Sequence, residues 1–445
     1  MTVQLPSTPL FEAALKIINT ICAHARQAFF VGGAVRNLLL HKPCKDIDIV
    51  SSATPDELLK IFPGAQTAGV SFGVVIVRSG DFNFEIATMR EERFYMDGRH
   101  PEKVRYTTDL QTDSMRRDFT INAMYFDTAK GEIIDFHNGI TDLQKGILRT
   151  VGDADVRFKE DYLRMLRAIR FAAKYDLQIA DDTWNAIKRN AHLCRELAAE
   201  RVRQELDWMF EINSAARAFE LLDRSGLLKI FLPEVDALHG VEQPPEFHPE
   251  GDVFVHTSLM LKRMVLPSAD LAWSVILHDI GKKTCFFRDA KGIHFFGHEV
   301  KGAEMAEKIL DRLRFASTRK KLISTLVRDH MRLVQVQNMR PATLRKLIGR
   351  EDAPLLIELC RLDNVCSCNL IADYLYILKA FEQFDNEKIL PPPAITGKDL
   401  IKMGIKPGRN FKKILDFLYE QQLSGKKIDF KSAYDLIKKH FKCIL

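Results

Sequence analysis

Gly32-Gly33-Ala34-Val35-Arg36 is followed, nine residues past the arginine, by Lys45-Asp46-Ile47-Asp48-Ile49-Val50. Adjacent glycines let backbone N–H groups approach a polyphosphate that any Cβ would hold off, and Arg36 offers the same charge a permanent, fork-shaped cation. In Asp46-x-Asp48 the alternation of a strand turns both carboxylates to one face, where they can hold hard divalent ions. Two such ions stabilise both the attacking and the leaving oxygen of a phosphoryl displacement. The chemistry that these residue types and spacings point to is transfer of a nucleotidyl group from a triphosphate. Either motif alone is ordinarily a turn or a solvated strand end; their order and closeness carry the reading.

Further candidates follow in order. Glu85, within Phe84-Glu85-Ile86-Ala87-Thr88, sits in a strand pattern and can be a third carboxylate beside the Asp pair. Arg116-Arg117-Asp118-Phe119-Thr120-Ile121-Asn122-Ala123 supplies two cations for phosphates, with a carboxylate and an amide for ribose hydroxyls. Glu160-Asp161-Tyr162-Leu163-Arg164 is expected to open a long helix, with Asp161 and Arg164 on one face, away from the apolar stripe.

The elements that must position these groups are legible in the same way. Phe29 to Val31, Ile47 to Val50, Val74 to Arg78 and Phe82 to Thr88 read as strands, and Ala34 to Leu40 and Thr54 to Ile61 as helices. Thr54, Pro55 and Glu57 form an N-cap, a first-turn proline and a capping box. From Val156 the pattern turns helical, Tyr162, Leu166, Ile169 and Ala173 making a buried stripe. A chain of 445 residues is long enough for about three domains, and its 46% hydrophobic and 28% charged content is that of a folded protein. No apolar run approaches the length of a membrane span, and Met1 to Pro9 lacks the regions of a secretory signal, so no membrane association and a cytoplasmic location are expected. The scattered cysteines, among them Cys366 and Cys368, lack zinc-ribbon spacing and read as reduced thiols. The net charge of +6 is concentrated at the end: residues 396–445 carry 12 Lys/Arg against 5 Asp/Glu. Lys412, Lys413, Lys426 and Lys427 in that stretch suit a polyanion such as RNA, although a solvated amphipathic helix reads equally well from charge alone.

The ordered set GGAVR, DID, RRDFTINA and EDYLRMLRAIRF, closed by Glu200-Arg201-Val202-Arg203-Gln204-Glu205-Leu206, resembles the class II tRNA nucleotidyltransferases and bacterial poly(A) polymerases. The resemblance implies an α+β chain: a polymerase-β-like head with a small mixed sheet at 1–150, a helical neck at 151–240, a further helical body at 241–390 and a basic helical tail at 391–445. It implies that Asp46 and Asp48 bind Mg2+, with Glu85 as a weaker third acid. Gly32, Gly33, Arg36 and Arg117 would hold the triphosphate, Asp118 and Asn122 the ribose, and Asp161, Arg164, Arg167 and Arg170 would complete the nucleotide site. Asn37 departs from the aspartate usual after the arginine. Cytosine and adenine both present an exocyclic amine beside a bare ring nitrogen, so one carboxylate with one guanidinium can accept C and A while refusing U and G. Gly69-Val70-Ser71-Phe72-Gly73 and Met96-Asp97-Gly98-Arg99-His100-Pro101 look like the loops of CCA-adding members, and a Gly-Arg-Arg-Phe type signature of poly(A) polymerases is not found. The expected activity is CCA addition to tRNA from CTP and ATP. Poly(A), A-adding or CC-adding activity are the alternatives, and no oligomeric state is implied.

His256, His278-Asp279 in Leu277-His278-Asp279-Ile280-Gly281-Lys282, His298, His330 and Asp363 occur in an order that resembles the HD phosphohydrolases. That resemblance implies a second divalent metal (Mn, Ni, Fe or Mg) and activity on RNA-end or cyclic phosphates. His248 and His294 are near misses, left unassigned.

Overall fold

The computed structural model describes every residue except 1–2, 68–72, 96–100, 247, 250, 267, 335, 368–370, 385–387 and 442–445. Gly69 to Phe72, Met96 to His100 and Cys368 therefore lie outside the described residues. The chain divides into two compact units, Met1–Pro233 and Glu234–Leu445.

In the first unit the strands are β1 (Ala28–Val31), β2 (Asp48–Ser51), β3 (Gln66–Thr67), β4 (Val74–Ser79), β5 (Phe82–Thr88), β6 (Arg90–Tyr95), β7 (Pro101–Tyr106), β8 (Met124–Asp127) and β9 (Glu132–Asp135). Among the described residues β6 and β7 form a separate ribbon, and the rest make one seven-stranded sheet in the order β3-β4-β5-β2-β1-β8-β9. β2 and β5 run parallel; β1 is antiparallel to both β2 and β8. β1 is buried along its length, and the helix Pro9–Ala23 covers it with Phe11, Ile17, Ile18 and Ile21. Phe30 stacks on Phe126 with ring centroids 6.2 Å apart and meets the edge of Phe11 at 5.9 Å, which anchors this side of the sheet. The helix Pro55–Ile61 starts at the Thr54 cap with both halves of its capping box formed by Glu57.

Two expectations about local structure are corrected. β2 begins at Asp48, so Asp46 precedes the strand; the alternation survives in burial alone, with Ile47 buried between two exposed acids. Asp161 is not on a helical face with Arg164. The helix Ala154–Glu160 ends there with Asp161 extended (φ −143°, ψ 106°), and a new helix, Leu163–Tyr175, begins after Tyr162. The Asp161 carboxylate accepts the Leu163 N–H at 3.1 Å, the local bond with which aspartate competes against helix continuation. The expected stripe otherwise holds, with Leu166, Ile169 and Ala173 buried.

The second unit is almost wholly helical, as the pattern predicts, except for a hairpin of Phe287–Asp289 with Gly292–His294. Trp273 is fully buried in the helix Ala269–Leu277. Gly281 follows that helix closely: a Cβ there would lie 2.2 Å from the carbonyl oxygen of His298 and 2.7 Å from the nitrogen of Gly302. Only glycine lets the turn after Asp279 sit against the start of the helix His298–Arg312. The end of the chain has its own small core, in which Leu400, Ile414, Leu418, Ala433 and Ile437 are buried together.

Candidate functional site

In the first unit the sheet register assembles the acids. Asp48 pairs with Val31, the residue before Gly32, and the parallel pairing of Ile49 with Ile86 sets Asp48 beside Glu85. Gly32 has φ +65°, and a Cβ on it would lie 3.8 Å from Asp48 Oδ2, so the glycine turn borders the carboxylate. Burial at the base of the side chain, then the charges of Asp46 and Glu85, push Asp48 up to about 6; Arg117 and Arg36 pull the other way. Three carboxylates crowded enough to raise the pKa of Asp48, all hard oxygen donors, fit a divalent cation, which would relieve the repulsion.

The basic side of the site is a connected chain of side chains. Arg36, buried, donates to Asn122 Oδ1 and to the Tyr175 hydroxyl at 2.6 Å, and its guanidinium lies 4.3 Å from the Tyr175 ring centroid. Its Nε has no hydrogen-bond partner. Asn122 donates to Asp118 Oδ1 at 3.1 Å, and Asp118 Oδ2 accepts twice from Arg167, at 2.9 and 2.6 Å. Burial alone would raise the Asp118 pKa; the Arg167 charge and hydrogen bonds, with Asn122, reverse that and hold it at about 2. Asn37 is not idle: its Oδ1 accepts from Arg36 at 3.4 Å and from Tyr175 at 3.3 Å.

Arg117 is braced by the sheet, donating to Tyr125 at 3.1 Å and to the fully buried Asp113 at 3.1 Å. Arg116 also pairs with Asp113, at 2.9 Å, so this pair of cations is partly neutralised within the fold. Arg164 donates to Glu160 at 2.7 Å and to the carbonyls of Arg157 at 3.0 Å and Arg116 at 2.8 Å, while Asp161 lies 3.6 Å from Arg201. Arg170 binds the buried Glu205 at 2.7 Å and packs over Phe171 and Trp208. Tyr175, Phe171, Trp208 and Glu205 were not singled out from sequence as site residues. Glu205 lies in the last motif, so its buried charge was findable there, whereas the aromatic rings look like ordinary core.

In the second unit the histidine set converges. His256 Nε2 lies 3.1 Å from Asp363 Oδ1, and Asp279 faces His278 at 3.1 Å, His298 at 3.4 Å and His330 at 3.8 Å. His278, Asp279 and His256 can share one ion, and Asp279, His298 and His330 another or the same one. Nδ1 of His278, His298 and His330 each sits 2.6–2.8 Å from a backbone carbonyl, of Val275, Phe295 and Val327. That assigns the proton to Nδ1 and leaves each Nε2 with a lone pair. Nε2 of His298 and of His330 are 3.3 Å apart, close enough to share a proton or to ligate one cation. Burial, then His278, lowers His330 to about 4, which keeps it neutral at physiological pH. Asp279, although buried, is held well below the usual carboxylate range by its polar neighbours, the Lys282 ammonium among them. Both its oxygens and His278 Nε2 are buried without a hydrogen-bond partner, the donor set that a divalent ion would satisfy. Lys282, buried, is 2.7 Å from Asp279 and donates to Gln243 at 2.6 Å; it was legible only as the lysine of Ile-Gly-Lys.

Lys412, Lys413, Lys426 and Lys427 are all exposed on the terminal segment. No helix among the described residues is long and apolar enough to cross a membrane.

Similarities to known proteins follow this division. The poly A polymerase head domain matches residues 28–149, a probable RNA- and SrmB-binding site of polymerase A residues 176–238, and the HD domain residues 254–367. The chain is 46% identical over 195 residues to the CCA-adding enzyme of Ligilactobacillus salivarius (strain UCC118), covering 44% of this chain and 48% of that one. It is 43% identical over 225 residues to that of Geobacillus thermodenitrificans (strain NG80-2), covering 51% and 55%. The chain thus spans about half the length of the curated relatives it matches. The structure of the Bacillus stearothermophilus CCA-adding enzyme in complex with CTP superimposes with a TM-score of 0.77 at 26% identity, covering 98% of both chains. The Thermotoga maritima CCA-adding enzyme complexed with tRNA shares the fold, with a TM-score of 0.66 at 20% identity over 98% of this chain and 96% of that one. The fold is that of a poly A polymerase-type head followed by helical domains, one of them an HD domain. The chain is thus similar, over residues 28–149, to poly A polymerase heads and, over about half its length, to CCA-adding enzymes.

Because Asp48 takes up a proton as pH falls through about 6, divalent metal should bind the head in competition with that proton. Calorimetric titration with Mg2+ should give an apparent affinity about tenfold weaker at pH 5 than above pH 7. Asp48→Asn should abolish both the affinity and its pH dependence.

Proposed function

We propose that this protein is a template-independent nucleotidyltransferase that adds CCA to tRNA 3′ ends from CTP and ATP. The observation that carries the reading is the crowding of Asp46, Asp48 and Glu85 beside Gly32 and Arg36, in a chain alike over 98% of its length to a CCA-adding enzyme in complex with CTP. Asp46, Asp48 and Glu85 would hold Mg2+, which when bound supplies charge stabilisation for the displaced pyrophosphate and activation of the tRNA hydroxyl. Backbone N–H groups at Gly32 and Gly33 approach the triphosphate, and Arg36, its orientation fixed by Asn122 and Tyr175, faces the same charge. Asp118 and Asn122 meet the ribose, held in place by Arg167. Arg164, kept in one plane by Glu160 and two backbone carbonyls, would donate to the ring nitrogen of C or A, and Asp161 would accept from the exocyclic amine. A cytoplasmic location goes with these substrates. The basic residues 396–445 would hold the tRNA backbone.

A second reading concerns the histidine cluster. The convergence of its imidazole Nε2 atoms on Asp279 favours a bound divalent metal (Mn, Ni, Fe or Mg) and a phosphohydrolase acting on RNA-end or cyclic phosphates.

With tRNA ending at the discriminator base, CTP alone should add two C residues, ATP alone none, and both together CCA, read by sequencing the products. Long A tails on unrelated RNA would instead identify a poly(A) polymerase. Replacing Lys412, Lys413, Lys426 and Lys427 together by Gln should raise KM for tRNA and lower the slope of log affinity against log salt by up to about 4, with NTP affinity unchanged. Phosphatase activity on a 3′-phosphorylated RNA should survive Asp46→Ala and vanish, together with bound metal, in Asp279→Ala.

A further inference from the structure

The hairpin beside the histidine cluster carries rings that no core explains. Phe287 stacks on His294 (centroids 6.3 Å apart, planes 28° apart), and His294 stacks on Phe296 (5.2 Å, 11°). The column ends in solvent: Phe296 is 79% exposed and Phe287 54%. Asp289 Oδ1, 3.0 Å from His294 Nε2, fixes the plane of the middle ring, and the antiparallel register of Phe287 with His294 fixes its height. Three parallel rings with an uncovered terminal face offer a flat π surface at little entropic cost, because their rotamers are already set.

We propose that this column is a stacking platform for a nucleobase of single-stranded RNA, delivered to the histidine cluster. Charge favours a nucleic acid over an apolar protein surface: Lys283, Arg288 and Lys291 are exposed around the rings. Lys283 and Arg288 also line a cavity of about 290 Å³ with Phe286 and Glu242, the last paired with Arg288. Stacking rings flanked by cations are how proteins hold single strands without reading sequence. Position gives the platform its use. Phe296 is two residues before His298, so their Cα atoms are at most about 7 Å apart, a gap that one nucleotide bridges. The Phe295 carbonyl accepts a hydrogen bond from His298 Nδ1 and its ring packs against Lys282, linking the hairpin to the cluster. The direction of the strand, with its terminal phosphate toward His298, rests on the hydrolase reading given above; the stacking itself does not.

The test uses the full chain and a single-stranded hexanucleotide bearing 5-iodouridine next to a 3′-phosphate. Ultraviolet crosslinks mapped by mass spectrometry should fall on residues 286–296. Phe296→Ala combined with Phe287→Ala should cut their yield at least tenfold, and Phe296→Trp should restore it. Crosslinks confined to the head or the basic tail, or a yield unchanged in the double variant, would overturn the proposal. So would sedimentation in which the double variant converts an oligomer to a monomer, since the rings would then be a contact between protein chains. If crosslinks persist at the hairpin while the wild-type protein shows neither bound metal nor phosphatase activity, the platform stands and the hydrolase reading falls.

Discussion

The contact on which the head's chemistry depends is the ion pair between Asp118 and Arg167. Asp118 belongs to the sheet side of the first unit and Arg167 to the helix Leu163–Tyr175, so this pair ties that helix to the sheet. Breaking a buried pair from one side costs about 3–5 kcal/mol; with Arg167 a third exposed, the lower end applies. Its effect extends further than its own energy. Asp118 orients Asn122, Asn122 orients Arg36, and Tyr175 on the same helix as Arg167 closes the loop back to Arg36. Arg36 is therefore positioned from the sheet and the helix at once, which a phosphate-binding cation needs if it is to favour one geometry.

The two candidate metal sites answer the same electrostatic problem in opposite ways. In the head the acids are open to solvent at their tips and repel one another, so metal affinity is limited by a proton that Asp48 retains at mildly acidic pH. Such a site suits an ion that arrives with a triphosphate and leaves with product. In the second unit the ligand atoms are buried, the imidazoles are locked by backbone carbonyls, and Asp279 stays ionised through Lys282. That arrangement resembles a resident ion's cage, with the buried carboxylate's cost offset in advance by a cation.

Much of this was readable in the residues. The cap at Thr54, the strands around Asp48 and Glu85, the helical second half and every histidine of the cluster follow from local patterns with short range. What escaped the sequence was long-range or backbone-borne. The break at Asp161 is decided by one side chain's bond to a nearby N–H, which a helical periodicity does not register. The rings of Phe171 and Tyr175 fit the apolar stripe so well that their contact with Arg36 is invisible without the fold. Arg117 read as a phosphate cation, but Asp113 and Tyr125 hold it from the inside, and nothing in RRDFTINA announces partners elsewhere in the chain.

The selectivity proposed for Arg164 would be built from such hidden parts. Telling C and A from U and G requires a donor and an acceptor held at fixed spacing, since a loose arginine would turn to satisfy either edge. Two of the groups that hold Arg164 are carbonyl oxygens, which cannot rotate as side chains do. One of them belongs to Arg116 in the head and the other to Arg157 in the preceding helix, so the plane of the guanidinium is set by how the two segments pack. A lysine has a point charge and no plane to fix, and it would lose this even with every neighbour in place. The discrimination attributed to a pair of side chains is in this sense a property of the backbone that surrounds them.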